Sequence, residues 1–135
     1  MDAAALQATL DRIAADYVKR LQLRVETVAP GEVTLTMPVL PELVHGGGVL
    51  CGQAIMSAAD TAMLLAMIAQ LGEFRPMTTV QLQTSFLRPV PANATSIPVV
   101  ARILRYGKSL SYGEIEFSTP DGKIVAHATT TYALL

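Results

Sequence analysis

His45-Gly46-Gly47-Gly48-Val49-Leu50-Cys51-Gly52 is a glycine-rich loop that runs into an almost wholly apolar stretch, Cys51 to Leu71. That stretch reads as a helix with one charge, Asp60, near its middle. A helix apolar nearly all round must be covered nearly all round, so the rest of the chain has to wrap it. A lone carboxylate in such a place is costly unless it is paired or used. Where the loop becomes the helix, free backbone amides favour negative charge. An oxyanion-stabilising amide at Gly52 and a carboxylate about two turns further along together point to an enzyme.

The wrapping elements lie on either side. Residues 2–20 read as an amphipathic helix, with Leu6, Leu10, Ile13, Tyr17 and Leu21 on one face. Leu21–Val28 and Glu32–Met37 read as strands joined at Pro30-Gly31. After the long helix everything reads as strand: Met77–Leu87, Thr95–Arg105, Leu110–Ser118 and Ile124–Leu134. In the first of these, Val80, Leu82 and Phe86 fall on one face and Thr79, Gln81, Gln83 and Ser85 on the other. The pattern predicts an α+β domain over residues 1–135. About six mostly antiparallel strands curl round a long central helix, with the N-terminal helix outside.

Composition narrows the function. Of 135 residues, 51% are hydrophobic and 16% charged, rich for a small monomer and suggestive of surfaces buried in a homo-oligomer. A net charge of −1 gives no general attraction to nucleic acid or an anionic membrane. One cysteine and two histidines leave no disulfide framework and little for a metal, and no cofactor is expected. The uninterrupted apolar run of the long helix is only Ala62–Ala69, and Asp60 makes a membrane span unfavourable. The acidic N-terminus does not read as a signal peptide, so a cytoplasmic location is expected.

Gln53, Ser57 and Asp60 share one stripe of the helix, which Leu64 and Met67 continue as an apolar floor. That suits a polar reacting group beside an apolar tail. Gly52 and Asp60 lie ~12 Å apart along the axis, whereas an oxyanion donor and a general base must both come within ~3 Å of the reacting group. One helix cannot easily supply both. Two copies in a symmetric dimer could, which predicts a composite site at a dimer interface. Arg75, Arg88, Arg102, Arg105 and Lys108 lie in a stretch free of acidic residues and suit the phosphates of a small anionic substrate, or else are solvated on strand edges.

With these residues in place, the chain resembles the hotdog-fold acyl-CoA thioesterases of the phenylacetate-pathway type over about residues 20–135. That family carries Asn-x-x-Gly-x-x-His-Gly followed by Asp eight residues after the last Gly. Here the frame reads His45-x-x-Gly48-x-x-Cys51-Gly52, with Asp60 at the matching distance. Ala59-Asp60-Thr61-Ala62, the strand Thr79 to Pro89, Arg105-Tyr106-Gly107-Lys108-Ser109 and Asp121 to Ala126 are similar as well. The resemblance implies that Asp60 is general base or nucleophile and that the Gly52 amide forms the oxyanion hole. It implies that Thr79 helps hold water, and that the enzyme is a dimer or tetramer acting on acyl-CoA. The family's Asn is His45 here, still able to donate a hydrogen bond. The family's His is Cys51, a weak donor.

Each residue also has a plainer reading. Asp60 could be a cap or half of a buried ion pair, His45 a loop residue satisfied by backbone, and Thr79 a solvated strand residue. Cys51 at a helix start could be a nucleophile beside His45 or an inert thiol. Met56, Met63, Met67 and Met77 are core filler or line an adaptable acyl pocket. His127 is given no role. The expected function is hydrolysis of an acyl-CoA thioester. Cys51, Gln53, Ser57, Leu64, Arg88, Arg105 and Lys108 are expected in substrate binding. A hydratase on the same scaffold or a non-catalytic acyl-CoA binding module are the alternatives.

Overall fold

A computed structural model describes residues 1–135. Helix α1 spans Ala3–Ile13 and α2 Asp16–Lys19; the strands β1 (Arg24–Ala29) and β2 (Glu32–Pro38) follow. The long helix α3 is Gly52–Leu71, and β3 (Met77–Phe86), β4 (Ser96–Tyr106), β5 (Leu110–Ser118) and β6 (Ile124–Leu134) complete the chain. The strands form one sheet in the order β1-β2-β4-β5-β6-β3, with every neighbouring pair antiparallel. The sheet curls round α3, as the apolar helix requires, and the arrangement matches the hotdog fold that the family resemblance implies.

Small side chains let the helix lie close to the strands. Ala54, Ala58, Ala59, Ala62 and Ala66 are buried, as are Met63, Met67 and Ile68 between them. Gly113 on β5 makes room for one of these: a Cβ there would lie 2.5 Å from Met63 Sδ. Gly72 ends the helix at φ +81°, and its amide donates to the Ile68 carbonyl. Although α3 is long and apolar enough by composition to cross a bilayer, it is the core helix of this fold.

Two expectations need correction. The N-terminal helix is not continuous over 2–20: Ala14 and Ala15 are extended, with ψ of 145° and 152°. The break lets α1 bury Leu6 and Leu10, and then lets the chain turn so that Leu21 and Leu23 are buried too. A straight helix could not follow the curved sheet and do both. The second correction is in β3. Its pairing with β6 shifts between Thr79 and Gln81, so Val80 is an extra residue and its side chain is 58% exposed. Thr79 pairs with Tyr132, Leu82 with Thr130, Thr84 with Ala128 and Phe86 with Ala126, all four partners being buried towards α3. The bulge therefore puts Thr79 on the same face as Leu82 and Phe86, where simple alternation had separated them.

Candidate active site

Asp60 is half-buried on the side of α3 that meets the end of β3. Thr79 Oγ1 donates to its Oδ1 at 2.6 Å, and the Tyr132 hydroxyl lies 2.7 Å from both Oδ1 and the Asp60 carbonyl oxygen. No cation pairs with the carboxylate, so the ion-pair alternative fails. Oδ1 is thus held by two hydroxyls, while Oδ2 has no partner in the chain. A carboxylate fixed by one oxygen and open at the other is built to accept a proton or attack a carbon.

Tyr132 is the residue that sequence reasoning missed. It is buried, and burial first, the neighbouring Asp60 charge second, hold its phenol proton well above the usual range. The phenol thus keeps the proton that it donates to Asp60 in the folded protein. One signal was available: among the inward-facing residues Ala126, Ala128, Thr130, Tyr132 and Leu134, Tyr132 is the only large side chain with a polar group. Its pairing with Thr79 depends on the bulge, which alternation alone does not reveal.

At the other end of the stripe, α3 starts without a side-chain cap. The amides of Gly52, Gln53 and Ala54 find no acceptor in the chain, the first helical bond being Ile55 N–H to the Cys51 carbonyl. Gly52 faces a cavity of about 300 Å³ lined by Leu50, Ile55, Phe86, Arg88 and Val90. The Phe86 ring stands where a Cβ on Gly52 would be 3.3 Å from it, so the ring and the bare backbone approach each other closely. A free amide at the mouth of an apolar cavity is a donor for a developing oxyanion.

His45 is exposed in the loop, and the Gly47 amide donates to its Nδ1 at 2.8 Å. In the neutral ring the proton is then on Nε2, which is left free to donate. Gly48 takes φ +80° to close this turn, its amide donating to the His45 carbonyl. The half-buried Cys51 thiol makes no hydrogen bond, so nothing pairs it with His45 as a nucleophile.

The remaining candidates divide. Ser57 Oγ donates to the Gln53 carbonyl and lies 3.0 Å from the Tyr17 hydroxyl, while the Gln53 side chain is exposed and Leu64 half-buried. Arg88 reaches the Gly52 cavity, with Nη1 donating to the Ile124 carbonyl. Arg105 and Lys108 are exposed at the β4–β5 turn, with no ion pair in the chain. Arg102 is a correction: it pairs with Glu32 at 2.9 Å and approaches Glu114 on the outer face, engaged away from α3. The structure thus brings together Asp60 and Thr79 at one place and Gly52 and Arg88 at another. The two lie ~12 Å apart along a single helix.

Comparison with known proteins gives the family of the chain and its fold. The sequence profile of the thioesterase superfamily matches residues 47–126, the span from the glycine loop to β6. A protein from Saccharolobus solfataricus named "Putative esterase" is 32% identical over 117 residues, covering 87% of this chain and 81% of that one. Among solved structures, a conserved protein from Pseudomonas aeruginosa is 28% identical, with a TM-score of 0.84 over 93% of this chain and 98% of that one. The E. coli PaaI protein of the phenylacetic acid degradation operon has the same fold at 21% identity, with a TM-score of 0.84 over 98% of this chain and 95% of that one. The chain belongs to the thioesterase superfamily, with the hotdog fold.

Proposed function

We propose that the protein is a cytoplasmic acyl-CoA thioesterase of the phenylacetate-pathway type, working as a homodimer or a pair of homodimers. The observation that carries this reading is Asp60, fixed through Oδ1 by Thr79 and Tyr132 and open at Oδ2. The thioester carbonyl points at the Gly52 amide of one protomer, assisted by His45. Asp60 of the other protomer takes a proton from water as the water oxygen bonds to the carbonyl carbon. The tetrahedral oxyanion is held by the amide; it collapses with cleavage of the C–S bond, and the thiolate sulfur receives the proton. In the alternative route Asp60 Oδ2 itself bonds to the carbonyl carbon, and the C–S bond breaks to release the thiolate, which takes a proton from water. Hydrolysis of the anhydride then frees the carboxylic acid and Asp60. Thr79 orients the carboxylate, and Gln53, Ser57, Leu64 and Cys51 line the path of the substrate. Arg88, Arg105 and Lys108 are assigned to the phosphates of CoA.

A site shared between copies is supported by the bare outer edge of β3. Val80, Phe86 and Leu87 are 58%, 51% and 56% exposed there, beside both candidate clusters. A second copy added along this edge, related by a two-fold axis, would bring the loop of one protomer towards Asp60 of the other. The test is release of thiol from a panel of acyl-CoAs led by phenylacetyl-CoA, for wild type and Asp60→Asn. Turnover lost in a folded Asp60→Asn supports the reading, and turnover kept by that variant overturns it. Cys51, standing where the family has His, favours a second reading as a non-catalytic acyl-CoA binding module. Binding of CoA esters without turnover by the wild type would establish that one instead.

A further inference from the structure

Alanine is the best helix former, yet Ala14 and Ala15 are extended, and the break carries Tyr17 off the Leu6–Leu10 face. Tyr17 stands instead against α3, its hydroxyl 3.0 Å from Ser57 Oγ. The Ser57 proton is already directed to the Gln53 carbonyl at 2.9 Å, so Tyr17 is the donor in this pair. Ser57 lies three residues before Asp60 on the helix surface, which places their Cβ atoms ~5–6 Å apart. The Tyr17 hydroxyl is therefore held one turn of α3 from the residue that carries the carboxylate. Tyr17 is 54% exposed, and α2, which carries it, is a four-residue turn with no side-chain cap. Burial does not account for the position of this ring; the hydrogen bond to Ser57 does.

We infer that Tyr17 is a specificity-determining residue, its ring forming the wall of the Asp60 site on the Gln53–Ser57 side and setting the size of the acyl group accepted. This rests on the reading of Asp60 as the hydrolytic group. Because the hydroxyl is turned back onto Ser57, the surface left for a substrate is the flat apolar ring. Such a wall accommodates aromatic and short acyl groups, the former by stacking, and obstructs branched or long ones. Ser57 acts here as the anchor of the wall.

The test is the ratio of kcat/KM for long or branched acyl-CoAs to that for aromatic acyl-CoAs, in wild type, Tyr17→Ala, Tyr17→Phe, Ser57→Ala and the Tyr17→Phe/Ser57→Ala pair. Tyr17→Ala removes the wall and should raise the ratio by about tenfold, mainly through KM. Tyr17→Phe and Ser57→Ala keep the ring but free it, and each should raise the ratio by a smaller factor. The double variant should do no more than either single one. Active variants with an unchanged ratio would overturn the role of Tyr17 and leave Asp60 as the hydrolytic group intact. A wild type that turns over no acyl-CoA would overturn both.

Discussion

The two edges of the sheet are finished in opposite ways. At β1, Gln7 from α1 acts as a short stand-in strand: its Oε1 accepts from the Val25 amide at 2.8 Å and its Nε2 donates to the Leu23 carbonyl at 3.2 Å. Helix α1 lies over this edge and buries Leu6 and Leu10. At β3 nothing comparable is present. The strand is exposed along most of its length, is interrupted by a bulge, and carries Thr79 and Phe86 beside Asp60 and Gly52. An unguarded edge is a liability for a protein that acts alone. The closed edge serves stability, and the open edge carries the residues of the proposed site.

Variants at each edge can break or sharpen that contrast. The largest effect belongs to Asp60→Asn, which keeps a hydrogen-bonding side chain but loses the base. It should lower kcat by about 10²–10⁴-fold without lowering the thermal midpoint substantially. Loss of the fold instead would mean that Asp60 is structural. Next, Val80→Lys places a charge on the open edge and should reduce self-association measured by sedimentation. If the partner supplies the Gly52 amide, turnover should fall with it by about 10²–10³-fold. A monomer with full activity would separate the edge from the chemistry.

Tyr132→Phe leaves Asp60 with the Thr79 donor only, and a kcat lower by about tenfold is expected. The same variant has a pH signature. The folded protein holds the phenol proton more tightly than the unfolded chain, so this contribution is complete below the unfolded value of about 10 and lost as pH rises above it. Wild-type stability should therefore decline above about pH 10 more steeply than that of Tyr132→Phe. Equal slopes in denaturant melts would show that Tyr132 is not held in this way. Smallest is Gln7→Ala at the closed edge, expected to cost about 1 kcal/mol of stability and to leave turnover unchanged. A loss of activity there would undo the division of labour between the edges.

Much of this was legible in the sequence because it is periodic or compositional. The central helix follows from a long apolar run with a single charge. The strands follow from alternation punctuated by Pro30-Gly31 and Pro120-Asp121-Gly122. What was hidden depends on one residue or on distant pairing. The extra residue Val80 reverses the face of Thr79, and no local propensity marks it. Tyr132 meets Asp60 across 72 positions of chain, and Tyr17 meets Ser57 across 40. The break at Ala14–Ala15 runs against local propensity, since tertiary packing of Leu21 and Leu23 overrides it. Arg102 looked the same as Arg88 in the sequence, and only the register of β2 and β5 shows that it faces Glu32 and Glu114.

The central claim is that Gly52 and Asp60 act together only across two protomers. Gly52→Pro removes the donor of the first of these residues, and the Phe86 ring, 3.3 Å from a Cβ at this position, has to shift slightly to admit the proline. Proline suits the first position of a helix and removes the amide proton, and Cys51, at φ −71° and ψ 148°, already has the backbone that precedes proline. The most direct measurement is to refold differently tagged Gly52→Pro and Asp60→Asn together, capture the mixed dimers through both tags, and assay them. Each variant alone should be nearly inactive. Mixed dimers carry one intact site of two, so about half of the wild-type turnover per dimer is expected to return. Mixed dimers that form and remain inactive would contradict the shared site.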